Sequence, residues 1–173
     1  MSAATITSTP VGALDILREQ IGVIHSVLRL NAEGITQEDS LIQPQPGGNC
    51  FNWNLGHLVL TNEITLKLLG EPPVLGEEPL QRYARGSAPL RNPNEAMSIE
   101  KLLAAWDEGC ARIGEGLAKL NPERLAEASP MSPRNNPDET VGTLLSILMF
   151  HQAGHLGQLT LLRRMAGKPG AIK

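Results

Sequence analysis

Aromatic residues and cysteines are scarce in this chain, and it has no long apolar run. Only 3% of its 173 residues are aromatic, so the predicted core is mostly aliphatic. The two cysteines, Cys50 and Cys110, lack the paired spacing of a disulfide framework or a structural zinc site. No apolar stretch reaches the roughly 18 residues that a membrane helix needs. Because the N-terminus has neither the basic nor the apolar region of a secretory signal, we expect a cytoplasmic protein.

Clusters of lysine and arginine are also missing. The net charge is −3, so neither the charge nor its distribution favours nucleic acid as a partner. The hydrophobic and charged fractions, 41% and 19%, are typical of a globular protein. We expect residues 1–173 to form a single domain in which residues 1–12 are a loose N-terminal arm.

Apolar residues recur every three or four positions in four segments, which is the period of an amphipathic helix. The predicted helices cover residues 13 to about 31, 53–69, 98–120 and about 140–165. No segment alternates with the period of a strand. We therefore predict an all-α fold, a four-helix bundle.

A long connection, residues 71–97, separates the second and third predicted helices. It contains five prolines and no helical or strand pattern, so we expect it to contribute little to the core. If the second and third helices run parallel, this segment is a crossover that returns the chain along the bundle. Residue types also suggest where helices begin: Asn49 or Asn52 for the second, Ser98 for the third, and Asp138 or Thr140 for the fourth.

Three of the four histidines fall on core-facing stripes of the predicted helices. His151 and His155 are four residues apart, so their imidazoles lie on one face, one turn apart, within a stripe of leucines. His57 occupies an equivalent position in the second helix. Imidazoles are poorly accommodated in an apolar interior unless they bind a metal or a hydrogen-bond partner. We therefore predict one divalent metal ion at these three residues, a ligand set with open positions that is typical of catalytic zinc.

Two known helical metal motifs do not match. The zinc proteases with a His-Glu-x-x-His motif carry a glutamate after the first histidine, where this chain has Gln152, which cannot accept a proton as a general base. Di-iron bundles carry a glutamate three residues before the histidine, and none of the four histidines has one.

Three further residues are candidates for a contribution to the site. Gln158 follows His155 on nearly the same face; it either holds a ligand or a bound water, or is a polar residue at a helix or subunit contact. His25 lies at the edge of the first stripe, where a solvated or interface histidine is the stronger interpretation. Cys110 lies on the stripe of the third helix, as a small buried apolar residue would.

The histidine segments resemble those of the DinB/YfiT-like superfamily. Residues 48–53 with 56–58 are similar to its first motif, and residues 150–158, followed by Arg163, Arg164 and Gly167, to its second. The resemblance implies a four-helix bundle with a long crossover between helices 2 and 3. It also implies a three-histidine site for a divalent metal at His57, His151 and His155, with zinc or nickel as the expected metal. Members of the superfamily are commonly dimers, so the resemblance implies a homodimer as well. Characterised members include transferases and isomerases that use low-molecular-weight thiols.

The ligands and the resemblance together favour a metal-dependent enzyme of the thiol (S-)transferase type that acts on a small molecule, with a low-molecular-weight thiol as cosubstrate. A metal-dependent hydrolase is the alternative, which is weakened because neither Glu63 nor Glu71 shares the face of His57 as a general base would. A non-catalytic, metal-stabilised binding or stress-response protein is a further alternative. We expect a homodimer, because the first helix is apolar over a wide face, and no nucleic-acid or membrane partner. No catalytic residue beyond the metal ligands is identified.

Overall fold

The computed structural model describes residues 11–171, and its regular structure in that range is helical. The α-helices are α1 (Ala13–Ala32), α2 (Gln37–Ser40), α3 (Phe51–Leu69), α4 (Ile99–Lys119), α5 (Pro122–Ala126) and α6 (Val141–Met165), with 3-10 turns at Glu78–Tyr83 and Pro93–Glu95. The described residues form no strand beyond an isolated bridge between Ala128 and Thr140. The prediction of an all-α protein is therefore confirmed. Most of the N-terminal arm, residues 1–10, lies outside the described residues.

The four long helices form the bundle. Helices α1 and α3 each pack against both α4 and α6, so α1 faces α3 across the centre of the bundle. The core between them is mainly leucine and isoleucine, with Phe51, Trp53 and Trp106 as its large aromatic members. None of the described helices is long and apolar enough to cross a membrane.

Helices α3 and α4 run parallel to each other. Asn52 in the first turn of α3 donates a hydrogen bond of 2.9 Å to the carbonyl oxygen of Met97, just before α4. At the other end, Lys119 in the last turn of α4 pairs with Glu71, just after α3, at 2.5 Å. The chain must therefore return along the bundle between these two helices, which confirms the crossover predicted there.

The crossover is more ordered and more buried than its sequence suggested. Three of its side chains are almost completely buried in the core: Leu80, Tyr83 and Leu90. The carboxylate of Glu63, itself buried on α3, accepts a 2.8 Å hydrogen bond from the backbone N–H of Leu75. The expectation that this segment contributes little to the core is therefore wrong. Isolated apolar residues among prolines have no period that would reveal their burial.

The helix starts are predicted correctly except at α3. Ser98 accepts a hydrogen bond from the backbone N–H of Lys101, and Thr140 accepts one from Thr143. Helix α3 begins instead after Cys50, which makes no side-chain cap. Asn52 cannot cap it, because this residue already lies in the first turn, where its amide binds groups of the crossover.

Candidate metal centre

Helices α3 and α6 bring three imidazoles together. The Nε2 atom of His151 lies 3.2 Å from Nε2 of His57 and 3.1 Å from Nε2 of His155. One ligand atom from each residue lies within 4.8 Å of the other two. His57 is buried, whereas His151 and His155 are half-buried. The cluster therefore lies at the edge of the core.

The crossover determines which nitrogen of His57 carries the proton. Nδ1 of His57 lies 2.8 Å from the backbone carbonyl oxygen of Tyr83. A carbonyl oxygen only accepts hydrogen bonds, so Nδ1 is the protonated nitrogen and Nε2 keeps a free lone pair. That lone pair points at the other two histidines.

Asn54 has the same effect on His155. The Asn54 side-chain nitrogen donates to the backbone oxygens of Asn49 and Cys50, at 3.1 and 3.0 Å. These two bonds fix the orientation of the amide, so its oxygen is the atom that lies 2.8 Å from Nδ1 of His155. Nδ1 of His155 is therefore the donor, and its Nε2 also carries a free lone pair.

All three imidazoles are held in the neutral form. Burial lowers the pKa of His57, although its bond to the Tyr83 carbonyl opposes this effect. Burial also lowers the pKa of His151, with smaller contributions from His57 and Arg85. Burial, followed by the charges of His151 and His57, lowers the pKa of His155 to about 4. Neutral imidazole is the form that binds metals, so the cluster is ready for a cation at neutral pH.

The separations of the His151 Nε2 atom from the other two Nε2 atoms fit one divalent cation. Two imidazole nitrogens that bind zinc tetrahedrally at 2.0–2.1 Å are about 3.3 Å apart, close to the separations of the Nε2 atoms. Without a cation, converging lone pairs repel one another, and a single proton on His151 can relieve only part of this repulsion. The donor set therefore matches a metal with three nitrogen ligands and open positions.

Aromatic packing holds the crossover against α3. The ring of Trp53 stacks on His57 with a centroid separation of 4.9 Å and an interplanar angle of 16°. Its indole N–H donates to the hydroxyl of Ser87 at 2.9 Å. Gly56 leaves room for the Tyr83 ring, and the Tyr83 hydroxyl donates to Asn52 at 3.0 Å. These contacts keep the Tyr83 carbonyl oxygen next to His57.

Sequence reasoning selected Gln158 as the partner of a ligand and missed Asn54. Gln158 is exposed, whereas the Nδ1 and Nε2 atoms of His155 lie beside Asn54 and His151. Asn54 lies three residues before His57 on the same face of α3, a spacing that could have indicated it. The carbonyl of Tyr83 could not have been found in this way, because every residue carries one. A role for Gln158 in holding bound water stays a prediction.

His25 and Cys110 make other contacts. Nε2 of His25 lies 2.9 Å from a carboxylate oxygen of Asp107, across the interface between α1 and α4. The sulfur of Cys110 accepts a 3.6 Å hydrogen bond from the amide of Asn62. Gln152, which stands where a zinc protease has its glutamate, is buried and donates to Asn62 at 2.8 Å. Among the described residues, the cluster that could hold a metal ion consists of His57, His151 and His155.

A four-helix bundle in which a long crossover joins two parallel helices, with a histidine cluster between two of its helices, is typical of a class of metal-binding proteins. The family model of the DinB superfamily matches residues 23–159, and the chain belongs to that superfamily. The fold is similar to the crystal structure of a conserved protein from Enterococcus faecalis, with a TM-score of 0.68 and 17% sequence identity. That similarity covers 88% of this chain and 96% of the other. A comparison with curated proteins gives no match.

Proposed function

We propose that His57, His151 and His155 bind one divalent transition-metal ion, zinc or nickel. The observation that carries this proposal is a pair of hydrogen bonds: Nδ1–H of His57 donates to the Tyr83 carbonyl oxygen, and Nδ1–H of His155 donates to the Asn54 side-chain oxygen. Metal-binding histidines usually donate their other ring N–H to a carbonyl or carboxylate, which orients the ring and makes the ligand nitrogen more basic. A buried histidine with a purely structural role does not need two neighbours with converging lone pairs.

We further propose that the metal centre serves an enzyme of the thiol (S-)transferase type that acts on a small molecule. When bound, the metal would lower the pKa of a coordinated thiol, and the thiolate is the nucleophilic form. Helix α6 contains no acidic residue, and the only one in α3 is Glu63. The Glu63 carboxylate is bonded to the backbone N–H groups of Val74 and Leu75. The helices that carry the three histidines therefore offer no free general base. Its absence weakens hydrolysis more than thiol transfer, because a metal-bound thiolate needs less help from a base.

Two alternatives have distinct signatures. A metal-dependent hydrolase requires a base that takes a proton from water, and a base on the crossover or on the substrate would have to replace the missing carboxylate. If the protein is non-catalytic and stabilised by its metal, its melting temperature should fall strongly when a chelator removes the metal. If the metal is catalytic and the bundle is already packed around Leu80 and Tyr83 without it, removal of the metal should lower the melting temperature only modestly.

A homodimer is the assembly that the exposed apolar residues support. Ile16 and Val23 on α1 are 50% and 53% exposed, and Leu30, a further seven residues on, is 44% exposed. Phe150 on the adjacent helix α6 is 82% exposed. Large apolar side chains that continue across two helices are typical of an association surface. Analytical ultracentrifugation of the wild type and of Val23→Glu tests this: we expect a dimer and a monomer, respectively.

Elemental analysis of untagged protein is the primary test of the metal centre. We expect one transition-metal ion per chain in the wild type, and its loss in His151→Ala. His25→Ala is the matched control, because it removes an imidazole that binds Asp107 instead of the cluster, and it should keep the metal. A wild type that remains metal-free after reconstitution would contradict the proposal. Conjugation of thiols to electrophilic small molecules by the loaded protein would then test the reaction.

A further inference from the structure

A short turn of the crossover lies beside the histidine cluster. The backbone N–H of Ser87 donates to the carbonyl oxygen of Ala84 at 3.0 Å, which closes a four-residue turn with Arg85 and Gly86 in its centre. Gly86 has a φ of 84°, which the third position of a type II turn requires. Arg85 is therefore at the exposed corner of the turn.

The turn is attached to α3 at both ends. Tyr83 immediately precedes the turn, and its carbonyl oxygen accepts a hydrogen bond from His57. Ser87 is the last residue of the turn, and its hydroxyl accepts a hydrogen bond from the indole N–H of Trp53. Arg85 is two residues from each attachment, so its backbone cannot lie far from the cluster.

The two arginines that flank Tyr83 differ in their contacts. Arg82 pairs with Glu95 at 2.8 Å and also donates to the backbone oxygens of Ala88 and Pro89, so it stabilises the crossover. The Arg85 side chain is exposed and makes neither a hydrogen bond nor an ion pair with any described residue. Residues 81–94 contain no aspartate or glutamate that could neutralise it. Its guanidinium group is free to bind a ligand.

The two helices that carry the histidines offer no free carboxylate beside the cluster. The three histidines are neutral, α6 has no acidic residue, and the carboxylate of Glu63 on α3 is bound to backbone N–H groups. A divalent ion at the cluster would add to the charge of Arg85. Two cationic groups, with no free carboxylate on α3, α6 or residues 81–94, favour a ligand that brings its own negative charge.

We propose that Arg85 binds the carboxylate of a small anionic substrate or cosubstrate whose reactive end reaches the three-histidine centre. A guanidinium presents paired N–H donors that match the two oxygens of a carboxylate. Arg85 is thus a specificity residue that selects carboxylate-bearing molecules over neutral ones. The inference rests on the proposed metal centre, and its test separates the two.

The test uses protein loaded with cobalt(II), whose visible spectrum changes when a thiolate binds. Two probes of nearly equal size are titrated: 3-mercaptopropionate, which carries a carboxylate, and 3-mercaptopropan-1-ol, which does not. The readout is the ratio of their dissociation constants, measured for the wild type, Arg85→Gln and Arg91→Gln. Arg91 is an exposed arginine of the same crossover, so its variant controls for the loss of one positive charge.

We expect the wild type to prefer the carboxylate, and Arg85→Gln to reduce this preference by about tenfold, the lower end of the effect of a charged hydrogen bond. Arg91→Gln should retain the preference, and Arg85→Lys should retain part of it. An unchanged ratio in Arg85→Gln, or an equal loss in Arg91→Gln, would overturn the inference while the metal centre stands. Cobalt-loaded protein that responds to neither thiol would overturn both the inference and the thiol chemistry. Failure to bind cobalt would contradict the metal centre, and the inference with it.

Discussion

A Cβ atom at position 56 would lie 2.3 Å from Cδ1 of the Tyr83 ring, a distance that no packed side chain tolerates. Gly56 directly precedes His57 of the histidine cluster, and Tyr83 supplies the carbonyl oxygen that accepts a hydrogen bond from Nδ1 of the same histidine. The absence of a side chain on α3 thus allows the crossover to approach and orient an imidazole.

The substitution Gly56→Ala should therefore displace the crossover. We expect a loss of about 1–3 kcal/mol in the free energy of unfolding, as for other overpacked sites, together with weaker metal binding. Urea denaturation and a competitive metal titration measure the two effects. Gly114→Ala is the control: it adds the same methyl group in α4, where nothing lies within 4 Å, and should stabilise the helix by up to about 1 kcal/mol. Equal effects of the two variants would contradict the role assigned to Gly56.

Asn54→Ala removes the acceptor of the His155 N–H. We expect metal affinity to fall by about 10- to 100-fold, as for other residues that orient metal ligands. Gln158→Ala, which changes an exposed neighbour of the same histidine, should have a much smaller effect. A chelator competition series on both variants decides between them. A larger loss in Gln158→Ala would show that the exposed glutamine, and not the buried asparagine, supports the ligand.

The metal-free protein should lose stability in mild acid. The pKa of His155 falls from its ordinary value of 6.5 to about 4 in the folded chain. The unfolded chain therefore takes up a proton more readily between these values, and the contribution of His155 is complete above pH 6.5 and is lost as the pH falls toward 4. Urea midpoints of chelator-treated protein at pH 7.5, 6 and 5 should decrease in that order. His155→Gln should give a shallower decrease, and a flat wild-type profile would refute the assignment.

Both cysteines should be inert in the folded protein. Burial raises the pKa of the Cys110 thiol to about 12 and also raises the pKa of Cys50. Because the thiolate is the reactive form, a disulfide reagent at pH 8 should modify neither residue in native protein and both in guanidinium chloride. Fast labelling of Cys110 in the native state would show that α3 and α4 separate readily, since this thiol is only 6% exposed.

The helices and the convergence of the three histidines could be predicted because both depend on periodicity. The stripe that contains His151 and His155 repeats every three or four residues, and the register of α6 fixes both imidazoles at once. The position of His57 on α3 follows from the same rule. The parallel direction of α3 and α4 could be suspected only from the length of the segment that joins them.

The contacts that orient the ligands were harder to predict. The bond at His57 comes from a main-chain carbonyl, and the burial of Leu80 and Leu90 depends on where a segment rich in proline crosses the bundle. Neither has a period that a sequence reveals. Asn49 and Asn52 were misassigned as caps because asparagine is common at helix starts, whereas here the amide of Asn52 binds Met97 and Tyr83 across the crossover.

Because α3 and α4 are parallel, the site combines residues of rigid helices with residues of the crossover that joins them. The histidines lie on helices whose register is fixed by core packing, so their converging nitrogens cannot shift without disturbing the bundle. The turn of residues 84–87 is part of the returning segment and is attached only at its ends. Residues at its corner can therefore be exchanged, by mutation or by design, to alter what reaches the histidines while the histidines themselves stay in place.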